Sequence, residues 1–199
     1  MITSLPTLFT NAEASALLTL FKSHPELMFE SLISINSNDH STEYGRMYQD
    51  VKDLFDDIIL PKFPTYFGEV HYREKFRKAC CVIPKVGQNF IYLPLEIKGG
   101  SAEYVLFNEE GTESDGTKFV VTQEDYDNRS EHERDAERSA IELHGSSCYI
   151  IEGNEPTFTE KDRHTCVVGE AFSFPPSNWH LQEGTATSIT WLGVRPYAL

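Results

Sequence analysis

The run Gly169–Gly184, read GEAFSFPPSNWHLQEG, constrains this chain more than any other stretch. Phe172 and Phe174 alternate with smaller residues, the period-two pattern of a short strand with one face buried. Pro175 and Pro176 then stop that strand, because proline has no amide hydrogen to give to a sheet ladder. His180 follows the turn and opens a second strand-like run over Thr185–Leu192. A strand, a rigid proline turn and a histidine together aim one imidazole from the mouth of a β-structure.

The rest of the chain changes character once. Thr10-Asn-Ala-Glu13 reads as a capping box ahead of an apolar stripe of Leu17, Leu18 and Phe21, with Pro25 limiting the helix. Tyr44, Met47, Tyr48, Val51, Leu54, Phe55 and Ile58 recur at helical spacing until Pro61, so a second helix over Tyr44–Leu60 packs one face on a sheet. After Phe63 the periodicity becomes that of strands. These are expected at Glu69–Arg73, at Gln88–Ile97 ahead of a Gly99-Gly100 turn, at Glu103–Phe107 and at Lys118–Thr122. Gln123–Ser139 is mostly charged and reads as a solvated loop or short helix. The expected organisation is a helical extension over residues 1–62 and one β-domain over 63–199.

Gly169, Pro175 and His180 stand at the spacing of the second cupin motif, G-x5-P-x-G-x2-H-x3-N, with Ser177 and Gly184 in place of its glycine and asparagine. The run resembles that motif. It is also similar to the distal strand of Fe(II)/2-oxoglutarate oxygenases, where a proline turn precedes the last iron-binding histidine. Both families share the double-stranded β-helix, so the resemblance implies a mainly β, cupin-like jelly roll with N-terminal helices packed on its outer sheet.

The resemblance also implies a metal centre at His180, with Fe(II) or another divalent ion. Cys148–Gly153 resembles the strand and closing glycine of the first cupin motif. Anchored on Gly153, that family's ligand positions fall on Ala140, Glu142 and Ser146, and His144 lies two residues from Glu142 on the same strand face. Glu142 and His144 are therefore the candidate co-ligands, with His71 as the outsider. The oxygenase resemblance asks for an early H-x-D or H-x-E. His24-Pro-Glu26 is the H-x-E of this chain and precedes the expected sheet, whereas His71-Tyr-Arg and His132-Glu-Arg do not match. The basic residue that would hold 2-oxoglutarate falls on Thr190, and Arg195 is the nearest substitute.

Composition narrows the partners. The 199 residues suit one domain with a sizeable core, and 40% hydrophobic and 12% aromatic content mark a globular chain. A net charge of −14 argues against nucleic acid or an anionic membrane, since both would repel it. There is no bilayer-spanning apolar run and no basic leader, so a cytoplasmic protein is expected. Cys80, Cys81, Cys148 and Cys166 include no C-x2-C pair and are read as small buried thiols, while Trp179, Trp191, Phe172 and Phe174 are read as core. Two functions follow. One is a metal-dependent cupin-like enzyme, an Fe(II) oxygenase among the options, with Arg195 anchoring a carboxylate. The other is a jelly roll that has lost the metal and binds or senses a small molecule. The cupin resemblance adds a homodimer.

Overall fold

The computed structural model describes residues 1–24, 35–36, 49–73, 76, 78–82, 89–112, 115–130 and 147–196. Helix α1 (Asn11–Ser23) starts at the expected capping box. The Glu13 amide donates to Thr10 Oγ1 at 3.2 Å, and the Thr10 amide donates to Glu13 Oε2 at 2.7 Å. This exchange satisfies two amides that the first helical turn would otherwise leave without partners. Helix α2 (Gln49–Ile58) buries Val51, Phe55 and Ile58; positions 44–48 of the expected helix lie outside the described residues.

The strands form two six-stranded sheets, and the chain crosses between them at each step from β3 to β6 and again from β9 to β12. The first sheet runs, in spatial order, through β1 (Thr3–Leu5), β10 (Ala171–Phe174), β5 (Phe90–Lys98), β12 (Ser188–Pro196), β3 (Thr65–Arg73) and β2 (Ile35–Asn36). The second runs through β8 (Ser147–Ile151), β7 (Thr117–Val121), β4 (Ala79–Cys81), β11 (Asn178–Gly184), β6 (Ala102–Glu110) and β9 (Glu160–Thr165). Pairing is antiparallel except between β7 and β8, which run parallel. The connection from β7 to β8 runs through the short helix α3 (Gln123–Asp127), which buries no residue.

Three apolar layers hold the sheets. Leu17 and Phe21 of α1 and Val51 and Phe55 of α2 cover the outer face of the first sheet, against Tyr66, Val70, Leu93, Leu192 and Val194. Phe90, Tyr92, Tyr104, Phe172, Phe174, Ile189 and Trp191 fill the space between the sheets. Val105, Val120, Trp179 and Leu181 form a third cluster on the outer face of the second sheet. Because helices lie behind it, every residue of β10 is buried, whereas its alternation predicts one buried face. Phe172, Phe174 and Trp191 are core as expected, and Trp179 belongs to the outer cluster. No helix among the described residues is long and apolar enough to cross a membrane.

Two turns decide which end of the sandwich is closed. Gly99–Ser101 carries the chain from β5 across to β6, and Thr185–Thr187 carries it from β11 back to β12. The turns lie side by side: the Thr185 and Ala186 amides both donate to Ser101 O at 2.9 and 3.0 Å, and the Thr187 amide donates to Lys98 O at 2.7 Å. This contact explains Gly184, which stands where the cupin motif carries asparagine. A Cβ built there would fall 2.1 Å from Ser101 O and 2.8 Å from Ala102 Cα, so only glycine fits. His180 lies toward the other end.

Candidate functional site

His180 sits inside strand β11 rather than after it; the strand that the sequence places at Thr185–Leu192 is a separate one, β12. Along β11, Trp179 and Leu181 point to the outer cluster, and alternation turns His180 toward the space between the sheets. The imidazole is 1% exposed. Phe174 covers it at 4.9 Å between ring centroids, and Tyr104 stacks on it at 5.3 Å with 18° between planes. The interior here is aromatic, with Tyr92 stacked on Trp191 and Phe172 packed against both tyrosines.

The hydrogen bonds of His180 specify its tautomer. Nδ1 lies 3.0 Å from the carbonyl oxygen of Asn178, which can only accept, so Nδ1 carries the proton. Burial pushes the His180 pKa down to about 4, against the support of the Asn178 carbonyl, so the ring is neutral near pH 7. Nε2 is then a lone-pair acceptor. Facing it at 2.7 Å is Sγ of Cys81, the residue paired with His180 across β4 and β11. Asn178 is held in turn, its Nδ2 donating to Phe107 O and Asn108 O at 3.1 and 3.2 Å.

Cys81 is the residue that sequence reasoning missed. The sequence presents it as one small buried thiol of four, and it is half-buried at the end of its strand beside the imidazole. The faint signal is Ala79-Cys80-Cys81 itself, three residues whose alternation separates the two thiols. Cys80 packs in the outer cluster with Trp179, while Cys81 turns inward. A second inward histidine, His164, also went unselected. Its ring lies 4.4 Å from Phe172, its Nε2 is buried without a hydrogen-bond partner, and burial lowers its pKa.

The other candidates are placed as follows. Glu142 and His144 lie outside the described residues, as does the side chain of His71, whose backbone pairs with Trp191. Arg195 is half-buried near the end of β12. It follows Val194, which pairs with Ile91, so it is level with Phe90, and Phe90 pairs with Phe174 beside His180. Strand alternation gives Arg195 the face of Trp191. Thr190, where the oxygenase resemblance expects a basic residue, is 0% exposed with its hydroxyl buried and unpartnered. Among the described residues no three His, Cys, Asp or Glu side chains gather into a group that could hold a metal ion.

A concavity of about 530 Å³ lies on the outer face of the second sheet, away from His180, and is lined by Lys78, Ser101, Glu103, Asp125, Glu183 and Thr185, among others. Its charges are largely matched internally. Arg163 meets Glu103 and Glu183 at 2.6 Å each and Glu160 at 3.0 Å, which together hold its pKa above the usual arginine range. Lys78 meets Glu155 at 2.9 Å.

No family model and no curated protein match this chain. Among solved structures, the crystal structure of HygX from Streptomyces hygroscopicus with iron bound aligns with 98% of this chain and 82% of its own. Identity over that alignment is 11% and the TM-score is 0.37, a likeness from which no residue role is transferred. The chain is mainly β, a sandwich of two sheets.

Proposed function

We propose that this chain is a double-stranded β-helix protein that holds a divalent metal ion at His180 and acts on a small molecule, with residues 63–199 as the jelly-roll unit. Support for the fold comes from strand order. In chain order β3, β5, β10 and β12 lie in the first sheet and β4, β6, β9 and β11 in the second, and the chain changes sheet at every step of this series except from β6 to β9.

The observation that carries the metal reading is the state of His180. A metal-binding histidine is neutral, presents one lone pair, and gives its other N–H to a carbonyl or carboxylate that fixes the ring. His180 has each of these properties, with Asn178 as the fixing group. The donors in reach, one imidazole and one thiol, fit an ion that accepts nitrogen and sulfur. They do not fit the two-imidazole, one-carboxylate triad of Fe(II) oxygenases, and no oxygenase step is derived. Glu142 and His144 are the sequence candidates to complete the shell.

A bound divalent ion supplies Lewis-acid polarisation of a substrate oxygen. The chain does the rest. Asn178 locks the imidazole, Phe174 and Tyr104 pack side by side against it, and Arg195 anchors a substrate carboxylate by a charge-assisted hydrogen bond.

The test is the metal content of protein purified without chelators, compared with His180→Ala. Near-stoichiometric metal in the wild type and its loss from the variant are expected. Equal content in both would overturn the site. The aromatic surround of His180 favours one second reading, a metal-free pocket that binds a small molecule, and metal-free wild-type protein would select it.

A further inference from the structure

We propose that Cys81 and His180 form a nucleophile–base pair through which this chain adds its thiol to small α,β-unsaturated carbonyl compounds. The inference goes beyond the metal reading, because it concerns the ion-free chain, in which Nε2 of His180 faces a proton rather than a cation.

A proton-abstracting pair needs a thiol within hydrogen-bond reach of a ring nitrogen, with the ring oriented in turn by a third group. Here Sγ of Cys81 lies 2.7 Å from Nε2, and Nδ1 is 3.0 Å from the Asn178 carbonyl oxygen. That oxygen only accepts, so the ring proton stays on Nδ1 and the lone pair of Nε2 is aimed at the thiol. The backbone fixes the approach, since Cys81 and His180 are direct partners across β4 and β11. Exposure divides the roles. The imidazole is buried, whereas Cys81 is half-buried at the end of its strand, so a reagent meets sulfur first with the base behind it.

The step balances with no oxidant and no leaving group. As Sγ bonds to the β-carbon, its proton passes to Nε2 and the alkene electron pair becomes an enolate. The imidazolium then returns that proton to the α-carbon, which leaves a thioether and restores the neutral ring. Thiolate is the reactive form of cysteine, and the base creates it at the moment of attack. Addition is the reaction that these two groups complete by themselves; acyl transfer would also need a leaving group and donors for an oxyanion. The surround selects for apolar reagents. Tyr104 and Phe174 lie 5.3 and 4.9 Å from the imidazole and 4.7 Å from each other. A flat conjugated carbonyl compound packs on such rings, whereas a charged one loses its hydration there without compensation. Cys80 faces the outer cluster with Val105 and Trp179, away from His180.

The experiment treats the metal-stripped full chain at pH 7 with N-ethylmaleimide and reads the rate at each cysteine by peptide mass spectrometry, folded and unfolded in urea. Burial alone makes a folded thiol slower than the same thiol in the unfolded chain, and a built-in base makes it faster. Cys81 should react at least ~100-fold faster in the folded chain, the lower end of what a positioned base contributes. Cys80→Ala should keep that rate, and His180→Gln, once circular dichroism shows it folded, should lose it. A Cys81 that reacts no faster folded than unfolded overturns the pair, as does an acceleration that survives in folded His180→Gln. Neither failure touches the metal reading, which is decided by the metal content of protein purified without chelators.

Discussion

Removal of the Phe55 side chain tests how firmly α2 is fixed to the first sheet. The ring is 4% exposed, lies 6.0 Å from Phe21, and stacks on Tyr66 at 6.2 Å with 11° between planes. Phe21 and Tyr66 are both fully buried, and Tyr66 is part of strand β3, so the walls have little freedom to close. Phe55→Ala should cost ~3–5 kcal/mol, toward the upper part of that range. Gly68 supplies a second arm to the test. A Cβ there would come 3.0 Å from the Phe55 ring and 3.1 Å from the Tyr66 ring. Gly68→Ala alone should cost about 1–3 kcal/mol through overpacking, partly offset by ~0.5–1 kcal/mol from a stiffer unfolded chain. In the Phe55→Ala background the first clash is gone and Tyr66 has space to shift, so most of that cost should vanish. Urea denaturation followed by circular dichroism would give a coupling of roughly 1 kcal/mol between the two sites. A Phe55→Ala loss under ~1 kcal/mol, or strict additivity in the double variant, would refute the packing described for α2.

Two further outcomes are expected. In metal-stripped protein, His180 is held near pKa 4 by burial, against 6.5 when exposed, so its contribution to stability is complete above pH 6.5 and declines as pH falls toward 4. The decline is on the order of 3 kcal/mol, and His180→Gln should flatten that part of the pH–stability curve; matching curves would show that the ring is not buried and neutral. Gly184→Asn, which restores the motif residue, should lower stability by at least ~3 kcal/mol because its Cβ meets strand backbone, and an unchanged melting temperature would rule out the side-by-side turns.

The fold was legible where burial imposes a period and obscure where it does not. Thr10, Glu13, Leu17 and Phe21 announce α1 because caps and stripes are local. Strands β5, β6 and β10 are equally plain in their apolar residues. Strand β9 is hidden because its outward residue Arg163 serves an ion network and gives no apolar alternation. Gly99-Gly100 marks a turn, yet nothing local tells that the chain changes sheets there. The site was half legible for the same reason. Pro175, Pro176 and His180 point inward within one short run. Cys81 becomes visible only when β4 is laid beside β11, and that contact spans 99 positions.

The strand order also governs when this protein can fold as it is made. Thr3–Leu5 finds its partner in Ala171–Ser173, and the Ile2 amide donates to an Asp162 carboxylate 160 positions away. A ribosome adding ~5–20 residues per second takes roughly 8–30 s to cover that separation. Throughout that interval α1 lacks the complete sheet that receives Leu17 and Phe21, since β5 is made midway through it and β12 only after it. Assembly from the N-terminus onward is therefore closed to this topology. The first sheet closes only when β12, its strand between β5 and β3, has left the ribosome.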